Sequence, residues 1–442
     1  MKYAKDINDI INAFKPGPLE PDELDEFFCD GTIEERTGDI YISPIKDIFE
    51  ACQKPGERNT FLFLGHKGCG KSTELNKMAD QLRKKGYEAL IINCNADIDL
   101  VNPIYTDILI LMGEALLKIA EKAGCKLDRA IEEQLLSFWA RETVETGIVG
   151  KTAELSIEAG AKMGTPAFFS SIIQLFTSAK SDLKYSSEKR TEYKEKINPR
   201  DEEWVSMLNT IADIVTEKLD GKQPILIFDD LDKLDNTVNN IEAVWEIFSF
   251  KASLLTGPKF PVVYTFPISL FYDPRIASLE AYYKLKILPM IELMTSDGKP
   301  NTSGNAVIRK ILEMRADSKL FEDGVAEKMI NKTGGSLRDL FQCINDAAIR
   351  AIRRESAVVA MEDADIALKG IKSTLTRRIE RKNYDFLADI FNGNHKAIED
   401  KAMLLDMLKG NIVLEYNQER WHNVHPLIAD FLADLKLVKR EP

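Results

Sequence analysis

The eight residues Gly65-His66-Lys67-Gly68-Cys69-Gly70-Lys71-Ser72 match G-x-x-x-x-G-K-[ST] in full. Their types suit one task, the grip of a phosphate chain. Backbone N–H groups from Gly65, Lys67, Gly68, Cys69 and Gly70 can converge on phosphate oxygens only where no side chain obstructs them. A helix opening at Lys71 adds its own N-terminal amides, including that of Thr73. Lys71 then reaches the β- and γ-phosphates, and the Ser72 hydroxyl is placed to ligate Mg2+. His66 fills a free position of the pattern. A second constellation closes the run Pro224-Ile225-Leu226-Ile227-Phe228-Asp229-Asp230. A carboxylate at the carboxyl end of a buried parallel strand faces the ligand crevice. There Asp229 holds Mg2+ directly or through water, and Asp230 polarises an attacking water. Asp232 and Asp235 extend this acidic edge and read as turn or capping residues.

Both motifs need strands to carry them. TFLFL from Thr60 is a short apolar run bounded by Gly, and it reads as a buried strand. EALIINC (88–94), PILIFDD (224–230), PVVYTF (261–266) and KLKIL (284–288) supply four more. Helix-periodic segments lie between them, among them 72–85 and 104–123, and strands alternating with helices predict a parallel sheet covered on both faces. The gap between the second and third strands spans about 130 residues, where a crossover needs only a dozen or so. It reads as a helical insertion over about 100–205, with one mobile, small-residue segment at 147–171. The domains expected are an acidic, Pro-punctuated arm (1–40), the sheet domain (41–295), a lid of amphipathic helices (296–370) and a small helix–strand wing module (371–442).

Composition narrows the function. Apolar residues make up 44 % and charged residues 29 % of 442, which excludes a mainly disordered chain. The formal charge of −12 disfavours nucleic acid along most of the surface, although KSTLTRRIERK (372–382) leaves a local basic piece. Six scattered cysteines without a CxxC pair give neither a zinc site nor a disulfide framework. The opening MKYAKDINDI lacks an apolar signal segment, and no stretch reaches the roughly 20 apolar residues of a membrane span. A cytoplasmic location is the expectation.

A phosphate loop on the first strand, hhhhDDLD on the third, a helical lid and a terminal wing resemble the P-loop ATPases of the AAA+ and STAND groups, the latter including NACHT and NB-ARC proteins. The resemblance covers roughly 41–442 apart from the insertion. It implies a P-loop NTPase fold of the α/β class with sheet order 5-1-4-3-2, a helical lid and a C-terminal winged-helix domain, and it implies ATP or ADP with Mg2+ as cofactors. It also implies roles for single residues. Thr265, at the end of the fourth strand, stands where such families place a γ-phosphate sensor, though Pro267 replaces a nearby Arg. Arg338, in Gly334-Gly335-Ser336-Leu337-Arg338, is similar to the lid Arg that reaches the γ-phosphate. His425, in VHPLIADFL, is similar to the His that touches the β-phosphate of ADP, with Pro426 where an Asp is usual. Pro289 matches the proline that packs on adenine. Arg309 and Arg315, six residues apart, are either trans-acting contacts or part of a solvated helix face.

Two readings of function follow, and a third of another class. The first is a regulatory ATPase switch that couples nucleotide state to the lid and wing, with a protein partner or self-assembly as output. The second is a DNA-associated ATPase similar to archaeal origin-recognition proteins, contacting DNA through Arg377, Arg378 and Arg381. The third is a module that holds nucleotide without turnover.

Overall fold

The computed structural model describes residues 1–30, 36, 43–54, 59–145, 155, 158–185, 200–236, 240–393, 399–416 and 421–439. The five apolar runs form strands β1 (Thr60–Gly65), β2 (Ala89–Asn93), β3 (Ile225–Asp229), β4 (Val262–Pro267) and β5 (Lys284–Ile287). They make one sheet in the order β2-β3-β4-β1-β5 with every pairing parallel, which is the expected 5-1-4-3-2 order. Register pairs Gly65 with Pro267 and Asn93 with Asp229, so the strands deliver their carboxyl ends to one edge.

Alternation along β1 sorts its side chains to two cores. Phe61 and Phe63 join Leu75, Met78, Ala79 and Leu82 of the helix that follows the phosphate loop. Those four recur at helical spacing on α2 (Lys71–Lys84), which follows the short α1 (Pro44–Ala51). Leu62 and Leu64 face the other way, into a cluster shared with α3 (Tyr105–Lys122), α5 (Ala167–Tyr185) and α6 (Asp201–Lys218); α4 (Arg129–Glu145) stands beside them. The helical insertion is therefore built into the core of the sheet. Gly113 shows how tightly: a Cβ there would lie 2.5 Å from the Trp204 ring and 2.7 Å from that of Phe176. Trp204 Nε1 donates to the Leu109 carbonyl at 3.0 Å, and Tyr105 Oη donates to Asp201 at 2.9 Å. The expected mobile segment is corrected at its end, because Ala167–Ser171 opens α5 and buries Phe168 and Phe169. Residues 146–154, 156–157 and 186–199, which carry the rest of that expectation and a charged run, lie outside the described residues.

The lid comprises α7 (Thr302–Glu313), α8 (Val325–Lys332), α9 (Leu337–Arg353) and α10 (Met361–Thr376). The C-terminal module adds α11 (Tyr384–Phe391), α12 (Lys401–Lys409), an antiparallel hairpin β6 (Val413–Tyr416) and β7 (Trp421–Val424), and α13 (Pro426–Asp434). One apolar cluster joins lid, module and the first residues of the arm, including Ile10, Phe14, Phe341, Leu404 and Ile428. The arm binds at both of its ends. Ala4 N–H donates to the Arg315 carbonyl at 2.8 Å and Asn345 Nδ2 donates to the Phe14 carbonyl at 2.7 Å, both on the lid. Leu19 instead contacts α2, its N–H donating to Thr73 Oγ1 at 3.2 Å and its carbonyl accepting from Asn76 Nδ2 at 2.7 Å. Among the described residues no helix is long and apolar enough to cross a membrane.

Candidate functional site

The loop after β1 turns at Gly68 (φ 93°) and Gly70 (φ 102°), left-handed conformations that side chains resist and glycine accepts. The helix α2 begins at Lys71, as the spacing predicts. Lys71 is buried. Its Nζ donates to the carbonyls of Gly65 at 2.7 Å and His66 at 3.1 Å, and lies 2.9 Å from Asp232 Oδ2. Burial opposes the ammonium, yet Asp232, Cys69 and Asp229 together outweigh it and hold the Lys71 pKa above its ordinary value. Burial likewise opposes the Asp232 carboxylate, but Lys71 keeps its pKa low. Asp232 is thus the direct partner of the loop lysine, which corrects its reading as a turn residue.

Asp229 and Asp230 end β3 as expected. Asp229 accepts a hydrogen bond from Ser72, and its pKa is raised by burial and by its neighbours Asp232 and Asp230. Asp230 takes a left-handed φ of 70°, unusual for a side-chain-bearing residue, and pairs with Lys233 at 2.7 Å. Carboxylate oxygens of Asp229, Asp230 and Asp232 lie within 4.8 Å of one another. An all-oxygen set with the Ser72 hydroxyl beside it fits a hard divalent cation such as Mg2+.

The lid sits directly on this loop. Leu337 N–H donates to the Gly68 carbonyl at 3.1 Å, and a Cβ on Gly68 would stand 2.8 Å from Cβ of Arg338. Ser336 caps α9 by accepting from Asp339 N–H at 3.3 Å, which fixes Arg338 in the first helical turn. A cleft runs between loop, lid and arm. Lys67, Gly68, Gly70, Lys71, Ser72, Thr73, Asp230, Asp232 and Arg338 all line it.

Three expected contacts, those of Thr265, His425 and Pro289, are placed differently. Thr265 is fully buried, its hydroxyl accepting from Leu231 N–H at 2.9 Å and donating to the Phe228 carbonyl at 3.3 Å. It pins the turn that presents Asp230 and Asp232, and it does not line the cleft. His425 is also fully buried, caps α13 by accepting from Leu427 N–H at 3.2 Å, and turns its Nε2 toward Asp339 at 3.6 Å. Its imidazole faces the lid, away from the cleft. Pro289 is buried between Leu288, which bonds to β1, and Met290, which bridges to Tyr416; it does not line the cleft either. Thr73 lines the cleft, but its hydroxyl holds the arm at Leu19. Arg315, expected on a solvated face or reaching a second chain, is 5 % exposed and lines this same cleft. The basic piece is partly engaged within the chain: Lys372 pairs with Asp434 at 2.6 Å and Arg378 donates to the Gly410 carbonyl at 3.1 Å.

Three contacts had no signal in the motifs. Arg36 donates to the Cys69 carbonyl at 3.0 Å and to Glu74 at 2.6 Å, bracing the loop from the arm side. His66 Nε2 accepts the N–H of Glu415 in β6 at 2.8 Å. That fixes the proton on Nδ1, which donates to Asn411 Oδ1 at 3.4 Å, while Asn411 Nδ2 donates to the Lys67 carbonyl at 2.7 Å. The phosphate loop is therefore hydrogen-bonded to the C-terminal module, about 345 residues away in sequence.

No protein-family model matches the chain, and no curated protein matches it. Solved structures do. Cdc6p from Pyrobaculum aerophilum is 13 % identical at a TM-score of 0.38, covering 97 % of each chain. The ORC2 protein of Aeropyrum pernix in its ADP form is 10 % identical at 0.41, covering 99 % of this chain and 100 % of that one. The ORC1 protein of Aeropyrum pernix in complex with DNA is 10 % identical at 0.37, over 89 % and 92 %.

Proposed function

We propose that this protein binds a nucleoside triphosphate with Mg2+ in the cleft between loop, acidic edge and lid, and hydrolyses it as a conformational switch. One observation carries the reading. The loop lysine, Asp230, Asp232 and the lid arginine line one cleft, with Asp229 clustered beside the two aspartates. Lys71 is charged and held by Asp232 and two carbonyls of its own loop, contacts that a triphosphate's oxygens would replace. Ser72 and Asp229 would hold the Mg2+, whose charge polarises the phosphate oxygens. Asp230 would orient the attacking water, and Arg338 would reach the γ-phosphate from the lid.

The switch follows from where the lid and module attach. Leu337 is bonded to Gly68, and Glu415 to His66, so the loop's shape is coupled to both. Lys71, Arg338 and the Mg2+ that Asp229 and Ser72 would hold would together favour one arrangement of loop and lid while a γ-phosphate is bound, and would lose those contacts together without it. The output is a change in the lid or module read by a protein partner or another copy of this chain.

The test is calorimetric binding of Mg-ATP with phosphate release measured alongside. Lys71→Ala should weaken binding by about 100-fold or more. Asp230→Asn should retain binding and lose turnover. Wild-type affinity in Lys71→Ala would remove the basis of the assignment.

A further inference from the structure

Part of the cleft differs in chemistry from the phosphate loop. Leu19, Phe27 and Phe28 of the arm and Ile311 and Phe341 of the lid give it apolar and aromatic walls. Set among them is Arg315, 5 % exposed, its guanidinium 5.1 Å from the centre of the Phe341 ring. Nη1 donates to the Ile311 carbonyl at 2.9 Å, but Nε is buried without a hydrogen-bond partner. Among the described residues no carboxylate lies within ion-pair distance of Arg315; of the groups felt there, Cys29 and Glu23, the carboxylate is already held by the Met1 ammonium at 2.6 Å, by Glu20 N–H at 3.1 Å and by Lys15 at 3.9 Å. A buried guanidinium without a counter-charge is costly unless something supplies acceptors to it.

We propose that Arg315 recognises the heterocyclic base of the nucleotide, donating to acceptors on the edge of a purine whose faces meet Phe341 and the aromatic arm. This inference rests on the nucleotide reading of the cleft. The apolar walls suit a flat ring, and a fork that carries only donors selects rings presenting acceptors. Guanine offers N7 and O6 side by side to such a fork, and adenine offers single ring nitrogens beside a donor amine. The two purines are therefore separate arms of the test.

Affinities of wild type, Arg315→Met and Arg315→Lys are measured by calorimetry for Mg-ATP, Mg-GTP, Mg-UTP and inorganic tripolyphosphate. Wild type should bind a purine nucleotide more tightly than UTP or tripolyphosphate. Arg315→Met should weaken the better purine by about 10- to 100-fold while leaving tripolyphosphate unchanged. Its unfolding midpoint without ligand should match or exceed wild type, since a buried charge is gone. Arg315→Lys, which keeps the charge and loses the fork, should show a smaller loss of the same selective kind, and it carries the test if Arg315→Met does not fold. Unchanged purine affinity, or an equal loss for tripolyphosphate, overturns the role of Arg315. Wild type binding tripolyphosphate as tightly as any nucleotide overturns the base site alone, and wild type binding none of the four overturns the nucleotide reading itself.

Discussion

Removing the His66 side chain tests the link between the phosphate loop and the C-terminal module. In His66→Ala the buried Glu415 N–H loses its acceptor, which costs about 1–3 kcal/mol. The longer bond to Asn411 and the vacated ring space raise the total to roughly 2–4 kcal/mol at neutral pH. Acid should erase that difference. Burial, aided by the charges of Lys71 and Lys67, pushes the His66 pKa down to about 3, against about 6.5 in the unfolded chain. Between those values the unfolded chain binds one more proton than the folded one, so stability held through His66 is complete above about pH 6.5 and is lost as pH falls. The slope is roughly 1.4 kcal/mol per pH unit. An advantage of about 3 kcal/mol for wild type at pH 7.5 should shrink to near zero at about pH 4.5. Paired urea titrations at several pH values read this directly, and the other titrating groups cancel in the comparison. A difference that stays constant from pH 7.5 to 4.5 would refute a buried, neutral His66.

Asp232→Asn leaves the Lys71 ammonium buried beside a neutral amide, so the ligand-free protein should lose about 3–5 kcal/mol. Tripolyphosphate should then raise its melting temperature more than it does for wild type; an equal rise would count against the pair. Thr265→Val removes the acceptor for Leu231 N–H and should cost about 1–3 kcal/mol in unfolding experiments, with nucleotide affinity nearly unchanged. His425→Ala removes the cap of α13 and empties a fully buried ring site, and should cost roughly 2–4 kcal/mol without altering the rate of ADP release. A faster ADP release would restore a nucleotide contact for His425.

The sheet was legible because its strands are short apolar runs, three of them ended by Gly65, Asp229 and Pro267, and because the glycine turn and the paired acids must share one edge. Strand order followed from the resemblance that those motifs carry. Thr265, His425 and Pro289 were misplaced because a motif match fixes where a residue sits along the chain and leaves the direction of its side chain open. In each case a backbone group close by took the polar atom, or apolar packing took the ring. Arg315 reads in sequence as a helix position, but α7 ends at Glu313, and Arg315 lies in the turn beyond, packed on Phe341 and bonded through its carbonyl to the arm at Ala4. The His66–Glu415 contact joins residues 349 apart, and no local pattern of either announces the other.

Residues 4–14 of the arm are fastened to the lid and Leu19 to α2, with Pro16-Gly17-Pro18 between them at the rim of the cleft. The leading peptide thus ties the lid to α2 beside the cleft, stiffened by two prolines whose rings fix their own backbone angles. A large displacement of the lid from α2 has to break one of the two anchorages, so the arm limits how far those elements can separate.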